Sequence, residues 1–124
     1  MELWGTGNAM REFLWSEDMA EACVHILERV DFSDIAASTH GKGGEIRNCH
    51  INIGTGKELS IKDLARIVSR VVGYGGAIRF DPSKPDGTMR KLMDVGKLHG
   101  LGWRHSVEIE DGLMRLYRWY IANS

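Results

Sequence analysis

The chain has 124 residues, 43% of them hydrophobic and 27% charged, which is typical of one small globular domain and excludes a disordered tail. Its 16 basic and 17 acidic residues nearly cancel, so nothing in the charge favours nucleic acid or an anionic membrane as a partner. No apolar run is long enough to span a bilayer, and the N-terminus lacks the pattern of a signal peptide.

The cysteines and histidines suggest a reduced, metal-free protein. Cys23 and Cys49 stand apart without a CxxC pair, which favours two free thiols and a cytoplasmic location over a disulfide scaffold or a zinc site. The five histidines have no ligand spacing. We therefore expect no metal site.

The first third of the chain has the pattern of two short strands followed by a helix. Strands are predicted at residues 2–4 and 12–15, on either side of a glycine turn. Ser16 is a good N-cap, and an apolar stripe then recurs at helical spacing: Met19, Cys23, Ile26, Leu27 and Val30. The polar, glycine-rich residues 31–48 predict a mobile loop, long enough for an extra turn or helix.

The middle of the chain predicts a βαβ unit. Residues 50–56, HINIGTG, have the pattern of a β-branched strand that ends in a glycine turn. Ser60 and Asp63 have capping-box spacing before a helix that ends at Gly73. A second strand is predicted at residues 77–80. We expect the two strands of this unit to be parallel.

The last third predicts a charged loop and two helices. The loop is DPSKPDGTMRK, and Asp94 is expected to cap a short helix at residues 95–99. A final helix is expected over residues 107–121, with an inward face formed by Ile109, Leu113, Leu116 and Tyr120. The whole pattern predicts a small α/β domain with short strands, a βαβ unit and three main helices.

Two side chains near the N-terminus are candidates for ligand binding. The guanidinium of Arg11 follows the glycine turn and can fork onto phosphate oxygens; the alternative is a surface ion pair with Glu12 or Asp18. Trp4 lies beside GTG, where a glycine backbone lets a ligand come close. Its indole can stack on a base or a sugar, and the alternative is core packing.

The loop KPDGTMRK is a candidate anion site. It brings Lys84, Arg90 and Lys91 together around Asp86, whose carboxylate can accept a sugar hydroxyl; the alternative is a solvated charged turn. IGTG lacks the GxxxxGK[ST] pattern of a phosphate cradle, so its glycines are interpreted as turn residues. The residues by themselves indicate a ligand-binding domain without catalytic machinery of its own.

The motifs WGTGNAMREFLWSEDMAEA, INIGTGKELSIKDLARIV and KPDGTMRKLMD resemble the C-terminal part of the GDP-L-fucose synthase family. This family belongs to the extended short-chain dehydrogenases/reductases, and the likeness covers nearly the whole chain except residues 31–48. Enzymes of the family convert GDP-4-keto-6-deoxy-D-mannose into GDP-L-fucose by epimerisation at C3 and C5 and reduction at C4 with NADPH.

The resemblance implies a substrate-binding domain without the N-terminal Rossmann domain. That domain would carry the NADP(H) site and all the catalytic residues, so no catalytic, cofactor-binding or metal-binding residue is expected in this chain. By their match to the motifs, Trp4, Arg11, Lys84 and Asp86 are expected to bind the GDP-sugar, with Arg11 on the pyrophosphate. The full-length enzyme is expected to be a homodimer.

Two alternatives to this interpretation stay open. The chain could be the substrate domain of another sugar-nucleotide epimerase or dehydratase, against which the KPDGTMRK loop argues. It could also be a free-standing nucleotide-sugar-binding module.

Overall fold

The computed structural model describes residues 1–37 and 47–124. Short strands and helices follow one another along these residues, which confirms the predicted α/β class with three main helices. In chain order the elements are β1 (Glu2–Trp4), β2 (Met10–Arg11), α1 (Ser16–Arg29), α2 (Phe32–Ala37), β3 (Leu59–Ser60), α3 (Ile61–Val72), β4 (Arg79–Asp81), β5 (Arg90–Lys91), α4 (Gly96–Gly100) and α5 (Ile109–Asn123).

The strands form two small sheets that join the start of the chain to its second half. β1 pairs in parallel with β4, so that Trp4 lies opposite Asp81. β2 is the central strand of the other sheet and pairs antiparallel with β3 and parallel with β5. Arg11 therefore lies between Leu59 on one side and Lys91 on the other.

The strand predicted at residues 50–56 is wrong, and so is the parallel pair expected from it. The N–H groups of Thr55 and Gly56 are bonded to the carboxylate of Glu12 rather than to a neighbouring strand. Gly56 also has a φ of 71°, which a strand does not allow. The parallel partner of β4 is β1.

The strand predicted at residues 12–15 is also wrong. Strand pairing ends at Arg11, and the next residue, Glu12, is bonded through its side chain to residues 55–56 and 93. The first strand, by contrast, lies where it was predicted.

The helix boundaries follow the capping signals in part. Ser60 caps α3 by accepting the N–H of Asp63 at 3.0 Å, and Gly73 ends this helix with a φ of 70°. Ser16 is not a cap, since it is the first residue of α1 and Trp15 precedes it at the cap position. Helix α2 occupies part of the predicted loop, and residues 38–46 of that loop lie outside the described residues. Among the described helices, none is long and apolar enough to cross a membrane.

The core is small, and two predicted apolar faces are only partly inward. Its buried centre consists of Ala22, Leu98 and Trp103. Partly buried hydrophobic side chains pack against this centre: Leu14, Ile26, Ile51 and Ile53. The stripe predicted on α1 is largely exposed, with Leu27 at 85%, because the buried side of this helix carries Asp18 and Ala22. On α5, Leu116 and Tyr120 are likewise more than half exposed, contrary to prediction.

Candidate functional site

Trp4 presents an open aromatic face at the end of β1. Its side chain is 73% exposed, which rules out the core-packing alternative within the described chain. The ammonium of Lys84, in the loop after β4, lies 5.6 Å from the centre of the Trp4 ring, a distance at which a cation is attracted to the π face. The parallel pairing of β1 with β4 brings these two side chains together.

Asp86 ties this loop to the glycine turn between β1 and β2. Its Oδ1 accepts the Thr6 N–H at 2.7 Å, and its Oδ2 accepts the Thr6 hydroxyl at 2.6 Å. These hydrogen bonds lower the pKa of Asp86, and the one from the Thr6 hydroxyl has the largest effect. The carboxylate is therefore ionised at neutral pH and already engaged, while its remaining lone pairs can still accept a ligand hydroxyl.

Arg11 reaches the same loop from β2. Its Nη1 donates to the carbonyl of Met10 at 2.6 Å, and its Nη2 lies 3.8 Å from where a Cβ on Gly87 would stand. The ion pairs considered as alternatives, with Glu12 or Asp18, are not formed in the described part of the chain. Both carboxylates accept hydrogen bonds from other groups.

An open groove of about 450 Å³ runs beside Arg11 and is lined also by Glu12, Lys91, Leu92 and Met93. Lys91 lies directly opposite Arg11 in the parallel ladder, so the groove has a cation on each of two adjacent strands. Arg90 instead pairs with Glu58 at 2.8 Å. The charge of Arg11 and Lys91 suits an anionic ligand.

Glu12 joins three segments beneath this groove. Its Oε1 accepts the N–H groups of Thr55 and Gly56 at 2.6 and 2.7 Å, and its Oε2 accepts the N–H of Met93 at 3.0 Å. Burial by itself would raise the pKa of Glu12, but the backbone donors, led by Met93, outweigh it and lower the pKa.

Four candidate residues predicted from the sequence lie in this part of the molecule, and two further residues that form hydrogen bonds there were not predicted. The four candidates Trp4, Arg11, Lys84 and Asp86 lie around residues 5–8 and the groove. Thr6 and Glu12 were not singled out, although the acidic residue of REF and the repeated GTG are visible in the sequence. Within the described ranges, no three acidic, His or Cys side chains are grouped so as to bind a metal ion.

The comparisons with known proteins agree with the family resemblance. Residues 1–54 match the NAD dependent epimerase/dehydratase family. The chain is 45% identical, over 98% of its length, to GDP-L-fucose synthase of Escherichia coli K12 and to GDP-L-fucose synthase 1 of Arabidopsis thaliana. It spans only 36% and 33% of the lengths of these two relatives.

Solved structures of GDP-sugar reductases are similar as well. A GDP-6-OMe-4-keto-L-xylo-heptose reductase from C. jejuni is 42% identical with a TM-score of 0.88, over 99% of this chain and 34% of that one. A GDP-mannoheptose C4 reductase from Campylobacter jejuni, solved with NADP bound, is 40% identical with a TM-score of 0.83, over 97% and 34%. The resemblance predicted from the sequence is thus confirmed: nearly the whole chain corresponds to about a third of the GDP-L-fucose synthases and of related GDP-sugar reductases.

Proposed function

We propose that this chain is the GDP-sugar-binding domain of a GDP-L-fucose synthase, the enzyme that converts GDP-4-keto-6-deoxy-D-mannose into GDP-L-fucose. The observation that carries the proposal is the grouping of an exposed aromatic ring, two cations and a carboxylate around one glycine turn: Trp4, Arg11, Lys84 and Asp86. The similarity to GDP-L-fucose synthases over 98% of the chain supports the same substrate class.

Each side chain has a role that its chemistry suits. Arg11 binds the pyrophosphate through its planar fork of donors. Trp4 stacks on a flat face of the ligand, and Lys84 adds a positive charge beside the ring. Asp86 accepts a hydroxyl while it keeps the turn at Thr6 in place.

The proposal assigns the chemistry to a part of the enzyme outside this chain. That part is an N-terminal Rossmann domain with the NADP(H) site and the catalytic residues. The full-length enzyme is proposed to be a cytoplasmic homodimer. The relatives are about three times as long as this chain, and a similar reductase was solved with NADP. We expect the isolated chain to consume no NADPH with GDP-4-keto-6-deoxy-D-mannose. Turnover above background would contradict this division.

A second candidate is a GDP-sugar C4 reductase that does not epimerise. The observation in its favour is the 40 to 42% identity to solved reductases of GDP-heptoses. The two candidates differ in solvent exchange, so the full-length enzyme should be run in D₂O with GDP-4-keto-6-deoxy-D-mannose. Deuterium at C3 and C5 of the product supports the synthase, whereas reduction without exchange supports the reductase.

Titration of GDP against the chain and its Arg11 variants tests the binding site. A charge-assisted contact to phosphate contributes roughly 1.5–3 kcal/mol, so Arg11→Ala should weaken GDP binding by about 10- to 100-fold. Arg11→Lys should recover only part, because an ammonium lacks the fork. The control is Arg115→Ala on α5, whose arginine pairs with Asp111 and should not affect binding. Unchanged GDP affinity in a folded Arg11→Ala variant would remove Arg11 from the site.

A further inference from the structure

The glycine-rich segment IGTG, residues 53–56, forms a cradle of N–H donors that binds an anion, and that anion is the carboxylate of Glu12. Successive N–H groups of Thr55 and Gly56 converge on one oxygen of Glu12, Oε1, at 2.6 and 2.7 Å. The Thr55 hydroxyl donates to the same oxygen at 3.2 Å. Consecutive backbone donors in such a turn are the arrangement that many proteins use for phosphate.

The carboxylate explains the glycine at position 54, and the backbone conformation explains the one at position 56. A Cβ on Gly54 would stand 2.5 Å from Glu12 Oε1, so a side chain at that position would displace the carboxylate. Gly56 has a φ of 71°, in the left-handed region that favours glycine. Because Glu12 fills the cradle, the segment is not free to bind an external phosphate.

The other oxygen of Glu12 connects the cradle to the ligand groove. Oε2 accepts the N–H of Met93 at 3.0 Å, just after strand β5. Glu12 thus bridges the two segments on either side of β2, and both Glu12 and Met93 line the groove with Arg11 and Lys91.

We propose that Glu12 is a positioning residue for the ligand groove: by filling the cradle of residues 54–56 and bonding Met93, it holds β2 against the segment after β5 and so positions Arg11 relative to Lys91. Both of its carboxylate oxygens are taken up by these backbone donors, so it acts on the ligand through Arg11 and Lys91. The consequence for GDP binding rests on the function proposed above, whereas the positioning of Arg11 does not.

The test compares Glu12→Gln with Asp18→Asn, a matched control. Asp18 is a buried carboxylate that, like the half-buried Glu12, accepts backbone N–H groups, here those of Ser106 and Val107. It lies at the start of α1 and does not line the groove. In Glu12→Gln the amide cannot serve every donor, since its NH₂ end would face an N–H group. Both variants should lose stability.

Two measurements on the whole chain then distinguish a specific effect on the positions of Arg11 and Lys91 from a general loss of stability. NMR of the ligand-free chain detects the resonances of the Arg11 side-chain Nε–H and the Lys91 amide. The chemical shifts of both resonances should change in Glu12→Gln and not in Asp18→Asn. GDP titration, at a temperature where both variants are folded, should show affinity lowered about 10-fold or more in Glu12→Gln only. If Glu12→Gln does not fold, Glu12→Asp, which keeps the charge but reaches less far, takes its place with a smaller expected loss.

The inference is overturned if the Arg11 and Lys91 resonances stay in place in the Glu12 variant, or if Asp18→Asn moves them equally. It is also overturned if the Glu12 variant binds GDP as tightly as the unsubstituted chain. A chain that shows no GDP binding, but whose Arg11 resonance depends on Glu12, would refute the proposed function and leave the positioning role supported.

Discussion

At the scale of single residues, Gly5 allows the contact that holds the candidate site together. It has a φ of 82°, and a Cβ there would stand 2.3 Å from Asp86 Oδ1 and 3.3 Å from Asp86 Cα. We expect Gly5→Ala to break the hydrogen bonds between Asp86 and Thr6 and to lower GDP affinity. Urea unfolding and GDP titration measure the two effects.

Gly102→Ala is the control for this substitution. Gly102 has a φ of 92°, and a Cβ there would meet nothing within 4 Å, so the variant has only the backbone strain, about 1–2 kcal/mol. Gly5→Ala should lose more stability than this. Equal losses in the two variants, with unchanged GDP affinity, would show that Asp86 moves aside freely.

The sequence alone could not have predicted every residue of the candidate site. Trp4 and Arg11 were predicted because they stand in motifs that resemble a family, and their motifs are local. Glu12 and Thr6 act through partners 43 and 80 positions away along the chain, and no spacing rule connects residues at such separations. The acidic residue of REF therefore suggested an ion pair with Arg11, where the structure has a backbone cradle.

At the scale of elements, the N-terminus of α3 is stabilised by a cap whose removal should be measurable. Ser60 accepts the Asp63 N–H at 3.0 Å and donates its hydroxyl to Asp63 Oδ2 at 2.6 Å. Ser60→Ala should cost about 1 kcal/mol of unfolding free energy. Ser16→Ala is the matched control, because Ser16 starts α1 without capping it, and should cost much less. A loss in Ser16→Ala as large as in Ser60→Ala would contradict the assignment.

Elements were predictable where their signals are local. The cap and the terminal glycine of α3 lie within the helix or next to it, and both were confirmed. The strand expected at residues 50–56 failed because a strand also requires a partner, and distant Glu12 takes those N–H groups. Periodicity likewise identified an apolar stripe on α1 but not that Met19, Cys23 and Leu27 remain exposed in this chain.

At the scale of the whole molecule, two buried or half-buried carboxylates join distant parts of a chain whose core is small. Glu12 connects β2 to residues 55–56 and 93. Asp18, 2% exposed, connects the start of α1 to the residues before α5, with Ser106 and Val107 as donors. Because few large apolar side chains are fully buried, we expect these connections to set much of the response to acid.

Asp18→Asn should make the stability of the chain less dependent on pH. Burial by itself raises the pKa of Asp18, but the donors at Ser106 and Val107, helped by His105, outweigh it and lower the pKa below the ordinary 3.8. A carboxylate whose pKa is lower in the folded state stabilises that state fully when the pH is above the pKa of the unfolded state. This contribution is lost as the pH falls through the pKa of the folded state. Near neutral pH the variant should therefore be less stable by about 1–3 kcal/mol.

The loss caused by Asp18→Asn should shrink on the acid side of 3.8, where the unsubstituted chain becomes protonated at Asp18 and loses the same contribution. Urea unfolding of both forms from about pH 6 to about pH 3 measures the difference. Asp111→Asn, which removes an exposed ion pair with Arg115 on α5, is the control and should change stability little at any pH. If the difference in unfolding free energy between the unsubstituted chain and Asp18→Asn stays constant across this range, the charge of Asp18 contributes nothing to stability. The side chain would then connect α1 to the residues before α5 through uncharged hydrogen bonds and packing alone.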